Sequence, residues 1–238
     1  RTSPMKSSIG SSTRRALPRV GSIINDFMKR ESLTAELLRE RIAGTSLHHD
    51  PLAVTMQPGR KIWPRPMLEQ LSASLKPAGV LIPVMQRTTE LSVLLTQRSA
   101  DLKHHAGQVS FPGGRMEEHD EDVRATALRE THEEVGIEAE HVSIIGFLDA
   151  MPTITGYAVT PVVGLVSDTA SLVIDRTEVE YTFEVPLDFV LDESNDQRVE
   201  REFHGRRFRM VEFHYEEQRI WGATAQMLIT LRKMIKKQ

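Results

Sequence analysis

The chain has no cysteine, which excludes disulfides, thiolate zinc sites and a cysteine nucleophile and agrees with a reducing compartment. Aromatic residues make up only 5%; those present, Trp221 among them, are expected to pack in a core rather than stack on a ligand. No apolar run approaches the roughly 20 residues needed to cross a bilayer. Neither sign of charge prevails, with 30 Lys and Arg against 33 Asp and Glu and a formal net charge of −3. That balance gives no general case for binding nucleic acid or an anionic membrane surface. Acidic residues are missing altogether from Arg1 to Asn25, where Arg1, Lys6, Arg14, Arg15 and Arg19 are basic and serine is frequent. Residues 1–30 are therefore expected to be a disordered basic extension, with a mitochondrial transit segment as the alternative. Arg1 is not an initiator, so part of this stretch is expected to be a fragment end or a cloning remnant.

What is present is ordinary for a soluble globular protein: 39% hydrophobic and 26% charged residues over 238 positions, enough for one well-buried domain and a modest extension. Residues 31–77 read as a helical, proline-containing lead-in. Ser32 or Thr34 caps a helix through Ala43 that carries Leu33, Leu37, Leu38 and Ile42 on one side. A loop follows from His48 to Pro66, then a short helix with Leu68, Leu71 and Leu75 ahead of Pro77. The main domain is expected over 78–238. Gly79–Met85 and Leu91–Thr96 flank the polar Gln86–Glu90 and predict a hairpin. Gly107–Phe111, Val142–Leu148, Ala158–Val166, Tyr181–Val185 and Arg207–His214 are further strand candidates, and Gly222–Lys236 closes the chain as a helix. Strands interrupted by one central helix and ended by another predict an α+β fold.

The central helix is predicted from about Asp122 to Val135, with Gly136 as its stop. Val123, Ala127, Leu128, Thr131 and Val135 share a sector that can face a core, while Glu130, Glu133 and Glu134 stand beside it at i, i+3 and i+4. Three like charges this close destabilise a helix by about a few tenths of a kcal/mol per pair. A hard divalent cation, which favours carboxylate and water oxygens, would offset that cost. Arg129 can pair with a carboxylate and keep the cluster in register. The earlier acids Glu117, Glu118, Asp120, Glu121 and Asp122 are accounted for by the helix dipole alone. Spacing by itself favours a solvated acidic face over a metal site.

The segment Arg129-Glu130-Thr131-His132-Glu133-Glu134-Val135-Gly136-Ile137 resembles the Nudix box, with seven residues between Glu121 and Arg129. Two departures stand out: Gly114 lies one residue too far from Glu121, so Asp120 is a substitute for it, and Thr131 replaces an aliphatic residue. The resemblance implies a Nudix fold: an α/β/α sandwich with a mixed β-sheet and a catalytic loop-helix-loop. It implies Glu130, Glu133 and Glu134 as ligands of Mg²⁺ or Mn²⁺, with Arg129 beside them. Upstream, Leu94-Leu95-Thr96-Gln97-Arg98-Ser99, Gly107 and Phe111-Pro112-Gly113-Gly114 are similar to the signature of coenzyme A pyrophosphatases. Lys103 stands where that signature has arginine, which keeps the charge but loses the bidentate fork. Thr155-Gly156-Tyr157, Thr160-Pro161-Val162-Val163, Glu178-Val179 and Ile220-Trp221-Gly222-Ala223-Thr224-Ala225 also resemble that group. The resemblance is to bacterial members and implies a cytoplasmic location, with the mitochondrial matrix as the alternative.

The implied reaction is metal-dependent hydrolysis of the diphosphate of coenzyme A to 3′,5′-ADP and 4′-phosphopantetheine, with Glu130 or Glu178 as the proton acceptor. Arg98, Lys103, Gly113 and Gly114 are expected to meet the substrate, and His104 and His105 belong to the same basic stretch. The expected partner is a small nucleotide, coenzyme A foremost, with a homodimer as an option and neither nucleic acid nor a membrane. Two alternatives stay open: a Nudix hydrolase of another substrate, such as ADP-ribose, NADH or an oxidised nucleotide, and a silent nucleotide sensor.

Overall fold

A computed structural model describes residues 33–48, 50, 75–102, 105–203 and 206–237. The expected disordered segment over 1–30, the loop after His48 and the turn of helix carrying Leu68 and Leu71 lie outside these residues. Helix α1 spans Ala35–Ile42, and of the two expected caps Thr34 takes the role, its hydroxyl accepting from the Leu37 amide at 3.2 Å. Strand β1, Lys76–Gln86, already contains Pro77, where a helix had been expected to end. Strand β2, Leu91–Arg98, returns antiparallel with Val84 opposite Val93, so the expected hairpin forms.

Around β1 the sheet is mixed. The long strand β7, Tyr157–Val166, pairs with it in parallel from Lys76↔Tyr157 to Met85↔Val166. Strand β5, Val142–Phe147, pairs antiparallel with β7, and β8, Val179–Pro186, pairs antiparallel with β2. Three short strands complete it: β3, Val109–Ser110, on β2; β4, Gly113–Arg115, on β1; and β6, Met151–Pro152, on β7. The glycine pair expected only to break a strand is thus itself a strand, and Gly107–Phe111 contributes just two strand residues.

Because β1 and β7 alternate side chains between two covered faces, both read as nearly continuous apolar runs. Leu81, Met85 and Val162 point to one side, where helix α2, Val123–Val135, supplies Ala127 and Val135. Ile82, Val84 and Val163 point to the other, against α1 and the closing helix α4, Gly222–Lys236. Between β8 and α4 lie a short helix α3, Leu187–Leu191, and a second antiparallel sheet: β9, Gln197–Phe203, β10, Arg206–Tyr215, and β11, Gln218–Ile220. Strands β9 and β11 were not anticipated. Among the described residues no helix is long and apolar enough to cross a membrane.

Helix α2 is fixed at both ends. Asp122 is its cap rather than its first residue, accepting from the amides of Arg124 at 2.8 Å and Ala125 at 2.9 Å. At the far end Gly136 adopts φ +72°, and its amide reaches the His132 carbonyl; a Cβ there would lie 2.7 Å from Val173, so only glycine fits. The last carbonyls are not left open, since Val173 N–H donates to Val135 and Asp175 N–H to Glu134. Loss of the N-terminal cap in Asp122→Ala should cost about 1 kcal/mol, lowering Tm by about 2–4 °C in scanning calorimetry; an unchanged Tm would show that the cap contributes nothing.

Candidate active site

The turn formed by β4 packs closely against the middle of α2. Gly114 pairs with Gly79 of β1, and a Cβ on it would lie 2.4 Å from the carboxyl carbon of Glu130. That carboxyl is the end of a flexible side chain and can give way; the position that requires glycine is Gly113, at φ +151° with a Cβ site 2.5 Å from the Gly79 carbonyl oxygen. Burial pushes the Glu130 carboxyl above its ordinary range, Arg129 opposes the shift, and the charges of Glu133 and Glu178 add to it.

One turn on, Glu134 is 2% exposed, on the side of α2 that faces the sheet. Its carboxyl is pushed up to about 8, chiefly by burial. Arg98 opposes that rise, and Glu178 and Glu130 reinforce it. Arg98, at the end of β2, reaches it with Nη1 3.4 Å from Oε1. The pairing is incomplete: Oε2 of Glu134 and Nε of Arg98 are both buried without a hydrogen-bond partner. Arg98, expected to meet a substrate phosphate, is thus found against a carboxylate.

Arg129 divides its guanidinium among several oxygens. Nε and Nη2 donate to the Asp120 carboxylate at 2.9 and 3.0 Å, Nη1 lies 2.9 Å from both Glu133 and Glu130, and Nη2 also reaches the Arg115 carbonyl. Asp120 is buried and accepts in addition from the Glu117 amide and the Thr126 hydroxyl. These donors, Arg129 first, hold its carboxyl well below the usual carboxylate range. Glu121, which has the spacing of the motif, is exposed. The acid that meets Arg129 is thus Asp120, one position earlier and one carbon shorter.

Of the three clustered glutamates, Glu130 and Glu134 lie beside the β4 turn and the sheet, whereas Glu133 turns outward to Arg129. Among the described residues no three acidic or histidine side chains are already gathered tightly enough to hold an ion. Two features nonetheless fit a hard divalent cation: the unpartnered Oε2 of Glu134, and carboxylates whose proton affinity is raised by burial first and by one another's charge second. Glu178 joins them through its charge on both Glu130 and Glu134, and its carbonyl accepts from Ser99 next to Arg98.

The remaining expectations fare unevenly. Lys103 and His104 lie outside the described residues. His105 sits at φ +57° with Nδ1 2.9 Å from the Gln108 side-chain oxygen. Leu128 is only half-buried, and Thr126 takes a place in the buried face instead. Thr131, at the aliphatic position of the motif, is buried with its hydroxyl satisfied by the Ala127 carbonyl at 2.6 Å. Trp221 is 38% exposed, not packed in the core, with the Arg219 guanidinium 5.4 Å from its ring centroid. The helix sector alone could not place Asp120, which becomes visible only as the acid six residues after Gly114.

The NUDIX domain family matches residues 75–228. A protein of Pectobacterium atrosepticum described as "Uncharacterized Nudix hydrolase NudL" is 40% identical over 174 residues, covering 70% of this chain and 89% of its own. A protein of the same description from Photorhabdus laumondii is 38% identical over 170 residues, covering 71% and 90%. Among solved structures, a Nudix hydrolase from M. smegmatis, RenU, matches with a TM-score of 0.42 at 25% identity over 48% of this chain and 73% of that one.

Two measurements test this geometry. Asp120→Asn strips a buried ion pair of one partner and should destabilise the protein by about 3 kcal/mol, while Glu121→Gln should stay within about 0.5 kcal/mol of the native chain in denaturant titrations; equal effects would reassign the acid. For Glu134, the folded value of about 8 lies above the ordinary 4.5, so the folded state holds an extra proton between these values. Its contribution is fully present below about pH 4.5 and lost as pH rises through about 8. In EDTA, Tm should therefore fall across that window and Glu134→Gln should remove that part of the slope; parallel profiles would contradict the burial of an ionisable group here.

Proposed function

Since the chain belongs to the Nudix family and is a hydrolase of pyrophosphate bonds, we propose that its substrate is coenzyme A or a derivative, cleaved to 3′,5′-ADP and 4′-phosphopantetheine. The observation that carries this reading is the continuity of the upstream signature with the acidic helix. The stretch from Leu94 to Gly114 has one end on Glu134, through Arg98, and the other on Glu130, through Gly114. A segment that resembles the coenzyme A pyrophosphatases therefore lines the same site as the carboxylates.

In this reading Glu130, Glu133 and Glu134 hold Mg²⁺ or Mn²⁺, Glu133 by releasing its contact with Arg129. The ion supplies neutralisation of the diphosphate charge and a lowered pKa for bound water. Gly113 and Gly114 leave room for the diphosphate beside the backbone, and Arg98 and Lys103 offer positive charge to its oxygens. Arg129 anchors the helix to the loop before it and keeps Glu130 facing the turn. Glu178, exposed on the loop ahead of β8, takes the proton of the attacking water on its carboxylate. The new bond joins water oxygen to phosphorus while the bridging phosphorus–oxygen bond breaks.

The test is parallel hydrolysis of coenzyme A, ADP-ribose, NADH and 8-oxo-dGTP with Mg²⁺ or Mn²⁺ and with EDTA. Release of 3′,5′-ADP should be metal-dependent, fastest from coenzyme A and lost in Glu134→Gln, and Glu178→Gln should lower kcat by about 10²–10⁴-fold. Preference for another of these substrates would keep the family chemistry and remove coenzyme A. No turnover of any would point to a nucleotide-binding sensor.

A further inference from the structure

The Arg98–Glu134 contact is an odd ion pair. It is made by one nitrogen and one oxygen at 3.4 Å, the long end of hydrogen-bonding distance, although a guanidinium and a carboxylate can meet bidentately. The Arg232–Asp196 pair of the same protein does so, at 2.7 and 2.9 Å. In the Arg98 pair each partner instead keeps a buried polar atom with nothing bonded to it, Nε on one side and Oε2 on the other. Two unsatisfied buried atoms in one pair are costly, and they lie where other charges crowd: Glu130 and Glu178 both act on Glu134. The carboxylate has more negative company than one arginine neutralises, and the arginine stands at the end of β2, where the loop of the signature begins.

We propose that Arg98 is the stand-in cation of this site: it holds Glu134 only until a divalent ion arrives, is displaced from the carboxylate by that ion, and then turns to an oxygen of the incoming diphosphate. The inference rests on Glu134 being a metal ligand, and it adds a change of partner that couples the ion to the substrate. Before loading, Arg98 prevents a buried, unpaired carboxylate; after loading, a cation left beside the ion would repel it unless an anion comes between. The same side chain thus makes the ion and the diphosphate favour one another's binding.

Linkage sets the test. If Arg98 contacts Glu134 only in the unloaded state, Arg98→Gln loses stability in EDTA, and the loss vanishes at saturating Mn²⁺. The cycle then requires the variant to bind Mn²⁺ more tightly by the same free energy. A tenfold lower dissociation constant, read by electron paramagnetic resonance of free Mn²⁺, corresponds to about 1.4 kcal/mol and a Tm deficit in EDTA of about 3–6 °C. Arg98→Lys, which keeps the charge, should recover most of the EDTA stability and the native Mn²⁺ affinity. A deficit that persists at saturating Mn²⁺, or weaker Mn²⁺ binding in Arg98→Gln, would overturn the proposal by showing that arginine and ion act on Glu134 together. Absence of Mn²⁺ binding by the native protein would instead overturn the metal reading on which it stands.

Discussion

One guanidinium, that of Arg129, bears the charge of the acidic helix face. Asp120 takes its Nε and Nη2, and Glu130 and Glu133 share its Nη1. Because Asp120 is in turn fastened by the Glu117 amide and the Thr126 hydroxyl, the loop entering α2 is tied to the helix at its middle. That tie keeps Gly114 and the Glu130 carboxyl side by side. Remove it and the loop, the turn of β4 and the first half of α2 lose their common reference. Glu134 lies beyond the reach of Arg129 and depends on Arg98 from a different strand. The site is therefore assembled from two arginines with unequal duties: one saturates its acid, the other barely touches its own.

The sheet supplies the second requirement, a rigid wall. Strands β1 and β7 are covered on both faces, by α2 on one and by α1 and α4 on the other. A helix packed on such a wall through Ala127 and Val135 cannot roll to expose Glu134, since rolling would uncover apolar surface at about 25 cal/mol per Å². The carboxylate is buried because its neighbours on the helix are.

Much of this was legible in the sequence. The box residues Arg129 to Ile137 identify the helix, the family and its acidic face, and the β-branched runs from Val80 and Leu91 identify the hairpin. What could not be read has physical causes. Helical spacing assigns Glu134 to a polar sector, and no pattern of residue types announces that a carboxylate will be buried where the helix packs on β1 and β4. Gly113 and Gly114 read as a break because β-propensity describes side chains that fit a pleated surface, and here the close approach of the β1 backbone to Gly113 selects for having none. Strand β9 carries Arg198, Glu200, Arg201 and Glu202, charges on both faces, so the alternation that marks a half-buried strand is missing. Trp221 was assigned to the core on the general habit of its residue type, yet it stands at the entry of α4 beside Arg219.

The parallel pairing of β1 with β7 joins Lys76 to Tyr157, across roughly eighty intervening residues that include α2. Closing so long a loop precedes any reward from the contacts it makes, whereas α2 carries its own caps and the β1–β2 hairpin is local. The wall that desolvates Glu134 thus rests on a long-range pairing. At neutral pH the glutamate is ionised in the open chain and favours a proton once enclosed, so completing the sheet without a cation present draws a proton from solvent. Arg98 is enclosed with the acid in every case, so proton and ion compete for the place that the arginine leaves unfilled.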